Sequence, residues 1–434
     1  MNRRPPTRPP RRVALASVAA ALTLCLASCG DDPPSSGLSV HRSDEVHTHA
    51  TAEETAAGAA VVRHLAATLY PELARGSANG NVVFSPSSVA TSLGYLHAGA
   101  AGTIADQIEA VFGPVDGVDI DRAVRASAEA TEDFAGPAST AEDPEANLLL
   151  HWADAIWGDA STTWSDEYLD ALASDYGAEA FQVDFARDAP RARVEIDDWA
   201  GEYTAERVED LLPDDAINDT TRLLLTSLTT VEVPWYDSMT VQAAAPFTRP
   251  DGSTVDAPML GATLAARHQE TATWQAVTLS LGGQDLAVTF VLPAPGKLSA
   301  VEGDLDEVLE QALAGSQKVS TALTFPAFAL DEQVPIVDAL EAAGVTAPFD
   351  DPGDDLAPMG MASGQGLDAF VHRATLGLDA DGVHLAGEVP TSPDDAEAAP
   401  AGAIRFDRTF VFVVHDAVNG TPILLGRITD PTAS

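Results

Sequence analysis

The residues able to carry chemistry are two cysteines, ten histidines and a surplus of carboxylates, 66 Asp and Glu against 23 Lys and Arg. Their spacing supports little catalysis. There is no Gly-x-Ser-x-Gly nucleophile turn, no Gly-x-x-x-x-Gly-Lys phosphate loop and no His-Glu-x-x-His zinc helix. His41, His47 and His49 stand with Asp44 and Glu45, donors without the helical or finger frame that metal spacing needs. Asp379-Ala380-Asp381-Gly382 echoes the opening of a calcium loop, but the later ligand positions and the closing Glu are out of register, which favours a strand-end turn. His372 sits alone on an apolar run, the pattern of a hydrogen-bonded core residue. These patterns point to no enzyme, no cofactor and no metal.

Cys29 is different. Arg3, Arg4, Arg8, Arg11 and Arg12 precede an apolar run over 13–27, too short to span a bilayer and in the charge order of an export signal. The run ends Leu26-Ala27-Ser28-Cys29, which resembles the bacterial lipoprotein cleavage box, where the cysteine is lipidated and becomes the first residue of the mature chain. The expectation is a lipoprotein signal peptide over 1–28 and lipidation at Cys29. The protein would be exported and lipid-anchored to the bacterial cell envelope, facing the periplasm or the exterior, with an ordinary secretory signal as the alternative. Cys25 leaves with the leader, so the mature chain cannot form an internal disulfide. The formal net charge of −43 opposes binding to nucleic acid and to anionic lipid, which leaves the anchor as the only membrane contact.

The remaining chain divides into a polar, flexible tether over 29–52 and a single domain over 53–434. Val61, Val62, Leu65, Leu69 and Leu73 recur on one helical face until Gly76 and the Asn79-Gly80 turn. Further helices are predicted over 88–98, 103–112, 165–176 and 189–212. Strands are predicted over 223–233, 286–292, 321–325, 410–415 and 423–428. Helices crowd the first half and strands the second, which argues for an α+β domain rather than alternating βαβ units.

Several segments resemble the serpin family, in the family's order. The first is Asn81-Val82-Val83-Phe84-Ser85-Pro86-Ser87-Ser88-Val89, with Leu93, Gly99-Ala100 and Thr103. Ile196, Trp199, Thr204, Val208 and Leu211-Leu212 follow, then Trp235, Pro326-Ala327-Phe328, and Gly344-Val345 with Phe349. The tail carries Phe406, Phe410-Val411-Phe412, Gly420-Thr421, Leu424-Leu425-Gly426-Arg427 and Asp430-Pro431. The resemblance implies a monomer of three β-sheets with about eight or nine helices and an exposed reactive-centre loop, here about 380–404. It implies a suicide substrate, in which a serine protease cuts the loop and the cut loop inserts as a strand of the central sheet. It also puts Ser85, Ser88 and His372 in a hydrogen-bonded shutter, with Ser227 where the family usually has Asn, and Trp235 at the breach where the loop enters. A hydroxyl still donates and accepts, so Ser227 alters the shutter without emptying it.

An inserting strand must alternate. After Asp381 and the hinge glycine Gly382, Val383, Leu385, Gly387 and Val389 fall on one face and His384, Ala386 and Glu388 on the other. Other features oppose fast insertion. Ala380 stands where an acidic residue is usual, Leu385 and Glu388 interrupt the small-residue run, and Pro390 and Pro393 each remove a backbone donor. A non-inhibitory serpin-fold binding or structural protein, its loop cleaved as a plain substrate, is therefore the alternative. The family's hinge-to-bond interval gives Ala396–Glu397 as the reactive bond. Measured back from Phe406 the loop is longer than usual, which leaves Ala398 or Ala399 as alternatives. All are alanines, which suits a target serine protease with a small apolar primary pocket, elastase-like or subtilisin-like. Arg405 lies too near the Phe406 strand to be presented.

Overall fold

A computed structural model describes residues 38–433 except 46–48, 78–79, 116, 133, 135–148, 205–207, 209, 283–284, 315–316, 381 and 385–402. The described chain opens with β1 (Ser39–His41), α1 (Ala52–Gly76), β2 (Val82–Phe84), α2 (Pro86–His97), α3 (Gly102–Phe112) and α4 (Ile120–Glu132). Next come β3 (Leu149–Trp152), β4 (Ala155–Asp159), α5 (Asp166–Tyr176), β5 (Ala180–Val183) and α6 (Phe185–Tyr203). Strands then take over with β6 (Leu223–Pro234), β7 (Thr240–Thr248), β8 (Thr254–Glu270), β9 (Trp274–Leu281) and β10 (Leu286–Pro293). After α7 (Leu298–Gly303) and α8 (Leu305–Leu313) come β11 (Lys318–Pro326), β12 (Phe328–Val334), α9 (Ile336–Ala342) and α10 (Ala347–Asp350). The chain closes with β13 (Ala369–Leu378), β14 (Gly382–His384), β15 (Ile404–Arg405), β16 (Phe410–Asp416) and β17 (Pro422–Ile428).

Local signals explain where the first helices start. Thr51 and Glu54 form a reciprocal capping box at α1, the Glu54 N–H on the Thr51 hydroxyl and the Thr51 N–H on the Glu54 carboxylate. Ser85 ends β2 and caps α2 by accepting the Ser88 N–H at 3.2 Å, and Pro86 supplies the preset φ of a first helical residue.

The strands pair into an eight-stranded sheet, in the order β1-β5-β4-β6-β14-β13-β12 with β3 also on β6, and a nine-stranded sheet. The nine-stranded sheet has two lobes. The 17-residue β8 pairs with β7 over Thr254–Gly261, with β11 over Met259–Arg267 and with β9 over Arg267–Glu270, so hydrogen bonding runs unbroken through this strand and joins two of the three expected sheets in one. One face of the eight-stranded sheet packs Val231, Val233, Ala374, Leu376 and Leu378, together with Phe328 of its own β12, against Phe290 and Phe412 of the other sheet. On the opposite face, Ile196 and Trp199 of α6 cover Leu224, Leu228 and Val371. Ten α-helices occur among the described residues, α10 being a single turn.

Two expectations are corrected. The segment expected to be a free tether through 52 is engaged with the domain over much of its described part. β1 pairs with the open edge of β5, His41 bonds Gln182 at 2.5 Å and His49 bonds Glu129 at 2.7 Å. The two histidines thereby face separate partners instead of a shared metal. The helix expected to reach 212 stops at Tyr203, because one Asp197 oxygen accepts the N–H groups of both Leu211 and Leu212 at 2.9 Å and turns that segment back.

Candidate functional site

The seam between β6 and β13 organises the candidate site. The two strands run parallel and pair directly through eight residue pairs, from Ala369 opposite Leu224 to Leu376 opposite Val231. Above Leu376 they part. β14 enters the gap antiparallel to both, with Val383 opposite Leu378 on one side and Val233 on the other. The Asp379 N–H donates to the Gly382 carbonyl at 3.0 Å, which ties the end of β13 to the start of β14. Trp235, 8% exposed, donates its indole N–H to the Asp379 carbonyl at 2.8 Å and packs on Phe325 with ring centroids 5.8 Å apart.

The far end of the loop is fixed on the other sheet. Ile404 and Arg405 pair in parallel with Leu323 and Thr324 of β11, and Phe406 is buried between Phe290 and Phe410. Arg405 is therefore strand, not presented bait. Asp381, Leu385, Gly387, Ala396, Glu397, Ala398 and Ala399 lie outside the described residues, as does Cys29.

Midway along the seam, Ser227 and His372 are register partners, and a hydrogen-bonded chain passes through them. The Ser85 backbone N–H donates to His372 Nε2 at 2.9 Å, which leaves the ring proton on Nδ1. Nδ1 donates to the Ser227 hydroxyl at 2.8 Å, Ser227 donates to Ser88 at 2.9 Å, and Ser88 donates to Asp154 Oδ1. Burial holds the chain neutral at both ends, pushing His372 down to about 3 and Asp154 up to about 8 against the opposing hydrogen bonds from Ser88 and its neighbours. Ser85, Ser88, Ser227 and His372 are thus brought together as the sequence expected, while Trp235 stands apart at the upper end. Asp154 was missed. Its only sequence signal was a lone acid inside the apolar run from Leu149 to Trp157.

The Ser227–His372 contact has the bond length of an activated nucleophile, but both side chains are fully buried and no substrate can reach them. Its chemistry is structural: it ties β6 to β13 and, through Ser88 and Ser85, to α2.

The family described as serpin (serine protease inhibitor) matches residues 60–431. The chain belongs to the serpin family. It is 26% identical over 374 residues to an uncharacterized serpin-like protein of Thermococcus kodakarensis, covering 84% of this chain and 83% of that one. It is 25% identical over 388 residues to an alpha-1-antitrypsin-like protein of Tamias sibiricus, covering 88% and 91%. A solved tumour suppressing serpin superposes with a TM-score of 0.74 at 18% identity, covering 87% of this chain and all of that one, a likeness of fold.

Proposed function

We propose that this serpin inhibits a serine protease as a suicide substrate, from a lipid-anchored position on the cell envelope. The protease serine attacks the Ala396 carbonyl, the Ala396–Glu397 bond breaks, the new amine leaves with the Glu397 side, and an acyl ester joins the two proteins. The freed strand then lengthens β14 downward between β6 and β13 and carries the protease with it before water can cleave the ester. The favourable energy comes from burying the Val383, Leu385, Gly387 and Val389 face and completing two ladders of backbone hydrogen bonds. The observation that carries the reading is β14 itself, three residues long and already seated between strands that close directly below it. The target has a small apolar primary pocket, elastase-like or subtilisin-like, and the inhibitor acts as a monomer.

Incubating the protein with elastase-like, subtilisin-like and trypsin-like proteases, followed by a denaturing gel and mass spectrometry, tests this. The expected result is a covalent complex with one of the first two and a cut after Ala396, Ala398 or Ala399. Cleavage without complex would replace this reading with that of a plain substrate, as Leu385, Glu388, Pro390 and Pro393 favour. For the anchor, the mature N-terminal peptide should begin at an acylated Cys29, and Cys29→Ser should release the protein from membranes; retention of that variant would remove the lipid anchor.

A further inference from the structure

Beside the shutter, the outer end of the hydrogen-bonded chain opens on a cavity of about 400 Å³ that loop insertion does not use. Trp152 of β3, Phe181 of β5, and Trp199 and Tyr203 of α6 line it, so its walls are largely aromatic. They form a connected surface: Trp199 stands edge-on to Phe181 with centroids 5.7 Å apart and lies 4.8 Å from the Tyr203 ring. Two polar atoms at this surface are shielded from water and have no hydrogen-bond partner, Asp154 Oδ2 and Trp199 Nε1. Buried polar atoms are normally paired, and an orphaned carboxyl oxygen against aromatic faces is an incomplete site. Glu179 also lines the cavity but is ion-paired with Arg42 at 2.5 Å, and no Lys or Arg lines it among the described residues, so Asp154 is the acid left to meet a cation.

We propose that this cavity binds a small protonated amine with an aromatic or apolar body, its ammonium lying against the Trp199 and Tyr203 rings and pairing with the Asp154 carboxyl, which turns out of the cavity wall to meet it. Aromatic faces attract a desolvated ammonium, and a carboxylate gives it a charge-assisted hydrogen bond. The volume is at the small end of ligand pockets, which suits an arylalkylamine and excludes a peptide. In the empty protein the Asp154 carboxyl holds its proton; on binding, that proton passes to solvent and the carboxylate pairs with the incoming ammonium. The other titratable groups around the cavity are His151, Tyr95, Tyr176, Glu179 and Tyr203, with neutral His372 at the far end of the chain. Burial and the Asp121 carboxylate push the Tyr176 hydroxyl well up, so it stays protonated through the range of the test.

Calorimetric titration of the full chain with tryptamine and with its neutral analogue tryptophol, in two buffers of different ionisation heat, tests the site. Tryptamine should bind at least tenfold more tightly than tryptophol. It should release about one proton per molecule bound below pH 8, with affinity rising up to tenfold per pH unit there. Asp154→Asn should abolish both the preference for the amine and the proton release. Because Asp154 also closes the shutter, Tyr203→Ala is the independent variant: Tyr203 is 49% exposed, lies outside the hydrogen-bonded chain, and its loss should weaken tryptamine several-fold in a folded protein. Equal binding of amine and alcohol, no binding of tryptamine at millimolar concentration, or unchanged affinity in the Tyr203 variant would each overturn the proposal.

Discussion

At the top of the eight-stranded sheet, β6 and β13 have parted around β14, and one indole N–H from Trp235 fastens the junction of β13 and β14. In the middle of the same seam the strands pair directly, and the Ser85–His372–Ser227–Ser88–Asp154 chain is stitched through them with no charged group in it. The upper region already seats β14 between the two ladders, beside buried Val233, Leu376 and Leu378. The middle has no place for a strand until eight residue pairs separate and the polar chain is broken, with α6 packed over Leu224, Leu228 and Val371. On the proposed mechanism, then, entry of the loop is largely prepared and passage of the shutter is the step that must be won. A buried polar chain suits that role, because it is inexpensive while complete and costly once one member loses its partner.

The largest effect on this contrast should come from closing the upper region. Val383→Arg puts a charge at a register position whose neighbours on both strands, Val233 and Leu378, are buried. Burying an unpaired guanidinium is prohibitive. The variant should give cleaved loop and no stable protease complex on a denaturing gel, and an undiminished yield of complex would remove insertion at this seam. Next comes Ser227→Ala, which cuts the middle chain and deprives both His372 Nδ1 and the Ser88 hydroxyl of their shared partner. It should cost about 1–3 kcal/mol in urea unfolding. A neutral result would mean the chain does not hold the seam.

Much of this was readable in the sequence, and the unread parts have physical reasons. Ser85-Pro86 announced both a strand end and a helix cap through local chemistry, and the strands of the tail declared themselves through the apolar runs Phe410–Val414 and Ile423–Leu425. The shutter residues came through resemblance, since Ser88 and Ser227 meet from positions 139 apart in the chain and no periodicity links them. Asp154 was lost for the same reason, its Ser88 partner being remote in sequence, while the apolar stretch around it reads simply as strand. β1 is three residues long, too short for any period to register, and it is held by the backbone edge of β5. The α6 overrun shows a single carboxylate redirecting a chain whose apolar pattern, through Leu211 and Leu212, still read as helix.

The two ends of the middle chain also give it a pH signature. Asp154 keeps its proton to about pH 8 when folded and would lose it near 3.8 when unfolded, so its contribution to stability is complete below about pH 4 and is lost as pH rises to 8. His372 runs the other way. Its folded value near 3 lies below the ordinary 6.5, so its contribution is complete above pH 6.5 and is lost as pH falls toward 3. Their slopes cancel between about pH 4 and 6.5, and only the Asp154 slope remains from there to pH 8, a loss of about 2 kcal/mol. Asn cannot titrate. The stability of the wild type relative to Asp154→Asn should therefore fall by about that amount from pH 6.5 to 8 in urea titrations, and a flat difference would show that this carboxyl is already ionised in the fold.

The smallest effect should be at the indole. Trp235→Phe keeps an aromatic ring against Phe325 and removes the 2.8 Å bond to the Asp379 carbonyl, a change worth about 1 kcal/mol. Thermal unfolding should show a small downward shift, and the yield of protease complex should stay near that of the wild type, because a looser junction still leaves β14 between two apolar strands. That pairing of outcomes separates the regions. If Trp235→Phe destabilised as much as Ser227→Ala, the top of the seam would be held by a specific bond and not by its apolar walls. If it abolished the complex while leaving stability intact, the indole would be steering the loop into the sheet, and the decisive step would lie at entry instead of at the shutter.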